Sequence, residues 1–302
     1  MTSTTARSAA TLTILGTVLA MTTAPANAAG EGTVVTTVPE ADRVAAVSYW
    51  TPERLALLGS DDRLAPAETT ATVWGGATPP GVGRLFLTFT PGGDASCTAT
   101  VVPSSSKDVA FTAGHCVNGG LDRWDNPIKV SNVVFVPGYH DGEGPHGVFP
   151  VRAFAWPDTY RGPSSALDDD AVIAVDPVGG AHVADVAGTQ DISFDPVASP
   201  VGTTILGYPV SRLARGESLV SCALPSTLKT NSVYSSWQSY CDMAGGSSGG
   251  PWLRDFDPAT GRGTLFSVTS RGTVNEDGTT ADLNGAAFTD AVRTLHQTAG
   301  DL

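Results

Sequence analysis

The chain has 302 residues, 41% hydrophobic and only 16% charged, with a formal net charge of −13. That length suffices for a sizeable buried core, and the low charge content excludes a disordered chain. The acidic balance excludes affinity built on Lys and Arg neutralising phosphates, so neither nucleic acid nor a polybasic membrane contact is expected as a partner.

Arg7 is the sole charge ahead of an apolar run from about Ala9 to Met21, and Ala26-Asn27-Ala28 follows as a small-x-small cleavage pattern. Residues 1–28 therefore read as a secretory signal peptide, cut after Ala28. The apolar run is too short to span a bilayer and no later stretch qualifies. The expected location is extracellular. In that oxidising compartment Cys97, Cys116, Cys222 and Cys241 are expected to form two disulfides, with three pairings open.

Residues 29–80 read as a propeptide and linker, with an N-terminal extension that stays attached as the alternative. Gly30 to Pro39 is rich in Thr, Val and Gly and looks extended. One short helix is expected after it: Thr51 as N-cap, Pro52 at the first helical position, Glu53 in the first turn, Gly59 as the stop. Polar sequence then runs through Thr70 to the breakers Gly75-Gly76 and Pro79-Pro80-Gly81.

From residue 81 to 302 the pattern is β. The 34 Gly and 21 Pro favour short strands joined by turns. Strands are expected at Leu85–Phe89, Cys97–Val102, Val109–Thr112, Val133–Val136, Ala171–Val175, Thr203–Leu206 and Leu265–Val268. Each is short and bounded by turn formers, the pattern of a sandwich or barrel and not of βαβ units. A terminal helix is capped by Thr289 or Asp290, buries Val292 and Leu295 on one face and ends at Gly300.

Three segments carry chemistry. Thr112-Ala113-Gly114-His115-Cys116 follows a strand. Asp168-Asp169-Asp170 leads into the apolar run 171–175. Gly245-Gly246-Ser247-Ser248-Gly249-Gly250-Pro251 surrounds a serine with glycines. A serine hydroxyl is a weak nucleophile at neutral pH and needs a base, for which imidazole has the right pKa. A carboxylate must hold the imidazole's tautomer, and backbone N–H groups must meet the oxyanion. Glycines let the main chain turn tightly and approach a substrate.

In this order the motifs 112–116 and 246–251 resemble those of the trypsin-like, chymotrypsin-fold serine peptidases, over roughly Gly83 to the C-terminus. The glycine-rich serine loop is nearest to secreted bacterial branches such as the glutamyl endopeptidases. The resemblance implies an all-β fold of two antiparallel six-stranded β-barrels with a short C-terminal helix. It implies His115 as general base, Ser248 as nucleophile, and the N–H groups of Gly246 and Ser248 as oxyanion hole. The family pattern Asp-x-Ala-apolar-apolar selects Asp169, since a one-residue slip turns a strand side chain to the other face. Asp168 and Asp170 are then expected as solvated loop charges. The family bridge beside the histidine implies Cys97–Cys116 and leaves Cys222–Cys241. Ser270 and Gly272 resemble the segment that pairs with substrate backbone.

This sequence departs from animal trypsins at Ser247, where they carry the aspartate that receives a new N-terminal ammonium. An ungapped count puts Asp242 where trypsins carry the pocket carboxylate. There it either selects Arg or Lys, or caps backbone N–H groups. His140, His146, His182 and His296 are expected at surface or turn positions, without metal-ligand spacing, and the tryptophans in the core. No metal or cofactor is implied, the partners are protein or peptide substrates, and a monomer is expected. Two alternatives are an α/β-hydrolase esterase and a catalytically silent binding domain. The first needs the order Ser, acid, His, which this chain lacks. The second usually shows a lost triad member, and all three are here.

Overall fold

The computed structural model describes Met1 and residues 32–59 and 65–302. The remainder of the signal-peptide reading, residues 2–28, lies outside the described residues.

The N-terminal part contributes β1 (Thr33–Thr37), α1 (Glu40–Tyr49), α2 (Pro52–Leu58) and β2 (Thr72–Val73). Helix α2 has the expected Thr51 cap, whose side chain accepts from Arg54 N, and it stops at Gly59. A second helix, α1, was not expected. Its first turn carries Glu40 and Asp42, which suit a helix N-terminus.

The first barrel contains β3 (Val82–Thr90), β4 (Gly93–Val101), β5 (Val109–Thr112), the single turn α3 (Gly114–Val117), β6 (Lys129–Pro137), β7 (Phe149–Pro157) and β8 (Ala171–Val175). Its strand order is β7-β6-β3-β4-β5-β8, closed by β7 pairing with β8, and β1 adds to the outside of β7. Helix α4 (Val183–Ala187) and β9 (Asp191–Ile192) lead across. The second barrel contains β10 (Val201–Gly207), β11 (Val220–Thr230), β12 (Ser235–Ser239), β13 (Pro251–Asp257), β14 (Arg262–Val274) and β15 (Thr280–Ala287), and α5 (Asp290–Ala299) ends the fold. Its order is β10-β13-β14-β15-β12-β11, closed by β10 with β11, while β2 adds to β11. The molecule is thus two closed six-stranded antiparallel barrels with a short C-terminal helix. Closure removes most of the open sheet edge that would otherwise invite pairing with other chains.

Alternation along β3 explains how the barrels join. Leu85 and Leu87 point into the first barrel with Ala99, Phe135 and Ile173. Phe86, on the opposite face, packs with Phe111, Tyr208, Leu253, Leu265 and Val268, a cluster drawn from both barrels and sealed by Val292 and Leu295 of α5. The second barrel has its own core around Ile205, Trp237, Trp252 and Phe266. Trp50, Trp237 and Trp252 are buried as expected, but Trp124 is 64% exposed, with the Arg123 guanidinium stacked 3.8 Å from its ring. The disulfides are Cys97–Cys116 and Cys222–Cys241.

Candidate active site

Two neighbouring strands, β5 and β8, pair in register and deliver His115 and Asp169 to one place. Thr112 lies opposite Ala171, so the residue three past Thr112 and the residue two before Ala171 meet at the end of the ladder. The His115 backbone N–H donates to Asp169 Oδ1 at 2.8 Å, and its ring Nδ1 donates to Asp169 Oδ2 at 3.0 Å. Asp169 is 2% exposed, whereas the His115 side chain remains partly open to solvent. A buried carboxylate is held there only because donors surround it. Ser270 from the second barrel supplies another, donating from Oγ to Oδ2 at 2.6 Å.

Gly114 makes this approach possible. A Cβ there would lie 2.8 Å from the Tyr160 ring and 3.0 Å from Asp169 Oδ1. Tyr160 walls the carboxylate, and burial followed by the Asp169 charge pushes its phenol well above the ordinary range.

Ser248 is brought to the same end of the first barrel by its own backbone. Thr98 N donates to Ser248 O at 2.8 Å, and Thr98 Oγ1 donates to Gly246 O at 3.0 Å. Gly249 packs so tightly that a Cβ would lie 2.2 Å from Thr112 Oγ1 and 2.8 Å from Ala113 N. Gly249 N in turn donates to Thr269 O, one residue before Ser270. Among the described residues Ser248 Oγ has no hydrogen-bond partner.

The turn before Ser248 depends on glycine. Gly246 has φ +96°, and a Cβ would meet Tyr208 O at 2.5 Å. Ser247 N and Oγ both donate to Ala244 O, at 3.3 and 2.7 Å, which folds the turn back on itself. The N–H groups of Gly246 and Ser248 donate to no acceptor among the described residues. Two unengaged backbone donors thus flank Ser247 in the serine turn.

Strand β14 supplies an open edge. Its pairing with β13 ends at Val268, while β15 continues beside it from Arg271 to Val274. Ser270 and Gly272 therefore lie where one edge of β14 lacks a strand among the described residues. Gly272 is exposed and Ser270 is 7% exposed, its hydroxyl committed to Asp169.

The other predicted residues lie elsewhere. The Asp242 carboxylate accepts backbone N–H groups from Thr69, Thr70 and Ala71. Asp168 and Asp170, expected as solvated charges, are buried. Asp168 has φ +51° and accepts from the Thr159 and Thr289 hydroxyls. Asp170 points into the protein with both oxygens unpartnered, and burial followed by the Asp169 and Asp168 charges pushes its carboxyl well above the usual range. Residues 168–170 enter a strand that is buried on both faces, so no register leaves any of them in solvent. His182 binds Asp108 at 2.7 Å and His296 binds the Pro103 carbonyl at 2.9 Å. Cys97 and Cys116 offer sulfurs within 4.8 Å of a His115 ring nitrogen, but both are locked in a disulfide and are not thiolate ligands. Sequence reading missed Thr98, Tyr160 and Glu68. A lone Thr in a strand, a Tyr in a loop and a Glu in a polar linker carry no local signature.

No protein-family model matches the chain, and no curated protein matches it. Solved structures do. The protease Anisep from Arthrobacter nicotinovorans is 27% identical, with a TM-score of 0.64 over 75% of this chain and 99% of its own. The thermostable serine protease AL20 from an extremophilic microorganism is 26% identical, with a TM-score of 0.64 over 74% of this chain and 97% of its own. A Glu endopeptidase, 20% identical with a TM-score of 0.57 over 79% of this chain and 100% of its own, shares the fold.

Proposed function

From a chymotrypsin fold whose structural neighbours are bacterial serine proteases, we propose that the chain is a secreted serine endopeptidase working through His115, Asp169 and Ser248. The observation that carries the reading is the buried Asp169, held by the His115 ring at 3.0 Å and by Ser270 at 2.6 Å, beside a serine turn with two free N–H donors. The two disulfides and the signal-peptide sequence support an extracellular location.

In the proposed reaction Ser248 Oγ attacks the scissile carbonyl carbon while its proton passes to His115 Nε2. The Oγ–C bond forms and the carbonyl π electrons move to oxygen, where the Gly246 and Ser248 N–H groups receive them. The C–N bond then breaks, and His115 returns the proton to the leaving amine. A water deprotonated by His115 attacks the acyl carbon, the C–Oγ bond breaks to release the carboxylic acid product, and the proton goes from His115 back to Ser248 Oγ. Asp169 stays ionised and holds Nδ1–H, keeping Nε2 free to accept. The substrate backbone lies along the open edge of β14 at Ser270 and Gly272.

The test is a cleavage-site profile. The secreted protein and a Ser248→Ala control are incubated with denatured proteins, and new termini are read by mass spectrometry. Cuts confined to the wild type support the reading. Cuts that persist in the control assign the activity to another group.

A further inference from the structure

Residues 65–73 run along the outside of the turn that precedes Ser248, and two carboxylates tie the two together. Asp242 Oδ2 accepts from Thr69 N at 2.6 Å, Thr70 N at 2.9 Å and Thr69 Oγ1 at 2.8 Å. Its Oδ1 accepts from Ala71 N at 2.9 Å and Thr70 Oγ1 at 2.7 Å. Asp242 N donates back to Thr70 Oγ1 at 3.2 Å. From the other side, Glu68 Oε1 accepts from Ala244 N at 3.3 Å and Oε2 from Ser211 Oγ at 2.6 Å.

The segment is anchored at both ends. Ala65 forms a parallel bridge with Ser211, and Thr72–Val73 pairs with Ser221 and Val220. Ala71 between them is buried. The clamped turn is equally well bounded. Cys241, next to Asp242, is disulfide-bonded to Cys222. Ala244 O takes both donors of Ser247, and Gly245 O accepts from Val210 N at 2.7 Å. Only Gly245 separates Ala244 from Gly246.

These contacts leave Asp242 with five donors on two oxygens, the full share of a carboxylate that serves the protein's own backbone. A substrate cation would have to displace three main-chain N–H groups from it. Ser247, for its part, is neutral and folded onto Ala244 O, so the turn offers no free carboxylate for a newly made terminal ammonium.

We propose that residues 65–73 are a permanent part of the catalytic unit. In it Asp242 and Glu68 are positioning residues that fix the 242–247 turn, and through it the Gly246 N–H, and Asp242 does not read the substrate. The inference rests on the peptidase reading above. It requires that any processing of the 29–80 region stop ahead of Ala65, leaving 65–73 attached.

The experiment uses the full secreted protein and the variants Asp242→Ala, Asp242→Asn and Glu68→Gln. For each, kcat, KM, the cleavage-site profile and thermal unfolding are measured, and the N-terminus of the active form is sequenced. Asp242→Ala is expected to lower kcat by about 10- to 100-fold, the range that a displaced catalytic group costs, with KM changed less than about threefold and the same residues preceding each cut. Asp242→Asn, which keeps an acceptor oxygen, recovers part of the loss. If Asp242→Ala does not fold, Asp242→Asn and Glu68→Gln decide on the same readouts. A changed cleavage profile at undiminished kcat makes Asp242 a specificity residue and overturns the proposal. So does a fully active form that begins beyond Ala65. The two levels fail differently: no Ser248-dependent cleavage by the wild type sinks the peptidase reading itself, whereas full kcat in Asp242→Ala sinks only the clamp.

Discussion

Ser270 Oγ donates to the same Asp169 oxygen that faces the His115 ring, at 2.6 Å. The hydroxyl comes from the second barrel and the other two groups from the first, so this contact registers the barrels at the candidate site. A hydrogen bond to a charged group is worth roughly 1.5–3 kcal/mol. Ser270→Ala is expected to lower kcat/KM by about tenfold, and Ser270→Thr, which keeps the hydroxyl, to lower it less. Asp169→Asn, which lets the ring take the wrong tautomer, is expected to cost on the order of 10⁴-fold, as in the triad enzymes where it defines the effect. Peptide hydrolysis by the three variants checks both; equal losses would argue that Ser270 acts through folding alone.

Arg84 is fully buried at the junction of the barrels. Its guanidinium donates to Glu217 Oε1 at 3.1 Å and to Ser96 Oγ at 3.2 Å, and lies over the Phe86 and Tyr139 rings. Tyr139 also donates to Glu217, at 2.7 Å. Removing Glu217, whose side chain is partly exposed, leaves the fully buried Arg84 charge uncompensated, at a cost of about 3–5 kcal/mol. Glu217→Ala is expected near that range, and Arg84→Met to cost less because both charge and cavity are then filled by an apolar chain. Urea unfolding of the two variants measures the difference; a larger loss in Arg84→Met would reverse the argument.

Much of the fold is legible in the sequence. Strands β5 and β8 coincide with the apolar runs 109–112 and 171–175, and α2 begins and ends at its cap residues, because local sequence dictates those elements. Strands β7, β11, β12, β13 and β15 lack that isolation: they carry Pro, Gly, Asp or Ser inside the strand, and only pairing across the barrel makes them strands. At the site, the motif around Ser248 is local, whereas the Ser270–Asp169 contact spans 101 residues and Glu68–Ala244 spans 176. Such pairs leave no trace in spacing. Asp168 and Asp170 depart from expectation for a related reason: charge predicts exposure on average, but here three consecutive carboxylates enter a strand covered on both faces.

Asp170 should betray its burial through pH. Its folded pKa is raised by burial and by its two acidic neighbours. The stability it allows is therefore full below the unfolded pKa of about 3.9 and is lost as pH rises toward the folded value. The slope is at most about 1.4 kcal/mol per pH unit. Asp170→Asn cannot ionise, so its melting temperature relative to the wild type is expected to climb from pH 4 to pH 8. Thermal scans across that range check it; parallel curves would mean the carboxyl is ionised in the fold.

Asp242 carries the opposite sign. Burial pushes its carboxyl up, but the N–H groups of Thr69, Thr70 and Ala71 and the Thr70 hydroxyl outweigh that and hold it at about 2. A depressed folded pKa gives stability that is fully present above the unfolded pKa of about 3.9. It is lost as pH falls through about 2. Asp242→Asn is therefore expected to be less stable than the wild type by a constant margin from pH 5 to 8, with the two converging between pH 4 and 2. In that acid window the carboxyl protonates and the segment 65–73 loses its charged anchor. Urea midpoints at matched pH measure the margin. A difference that persists unchanged at pH 2 would mean the clamp is held by shape and not by the charge on Asp242.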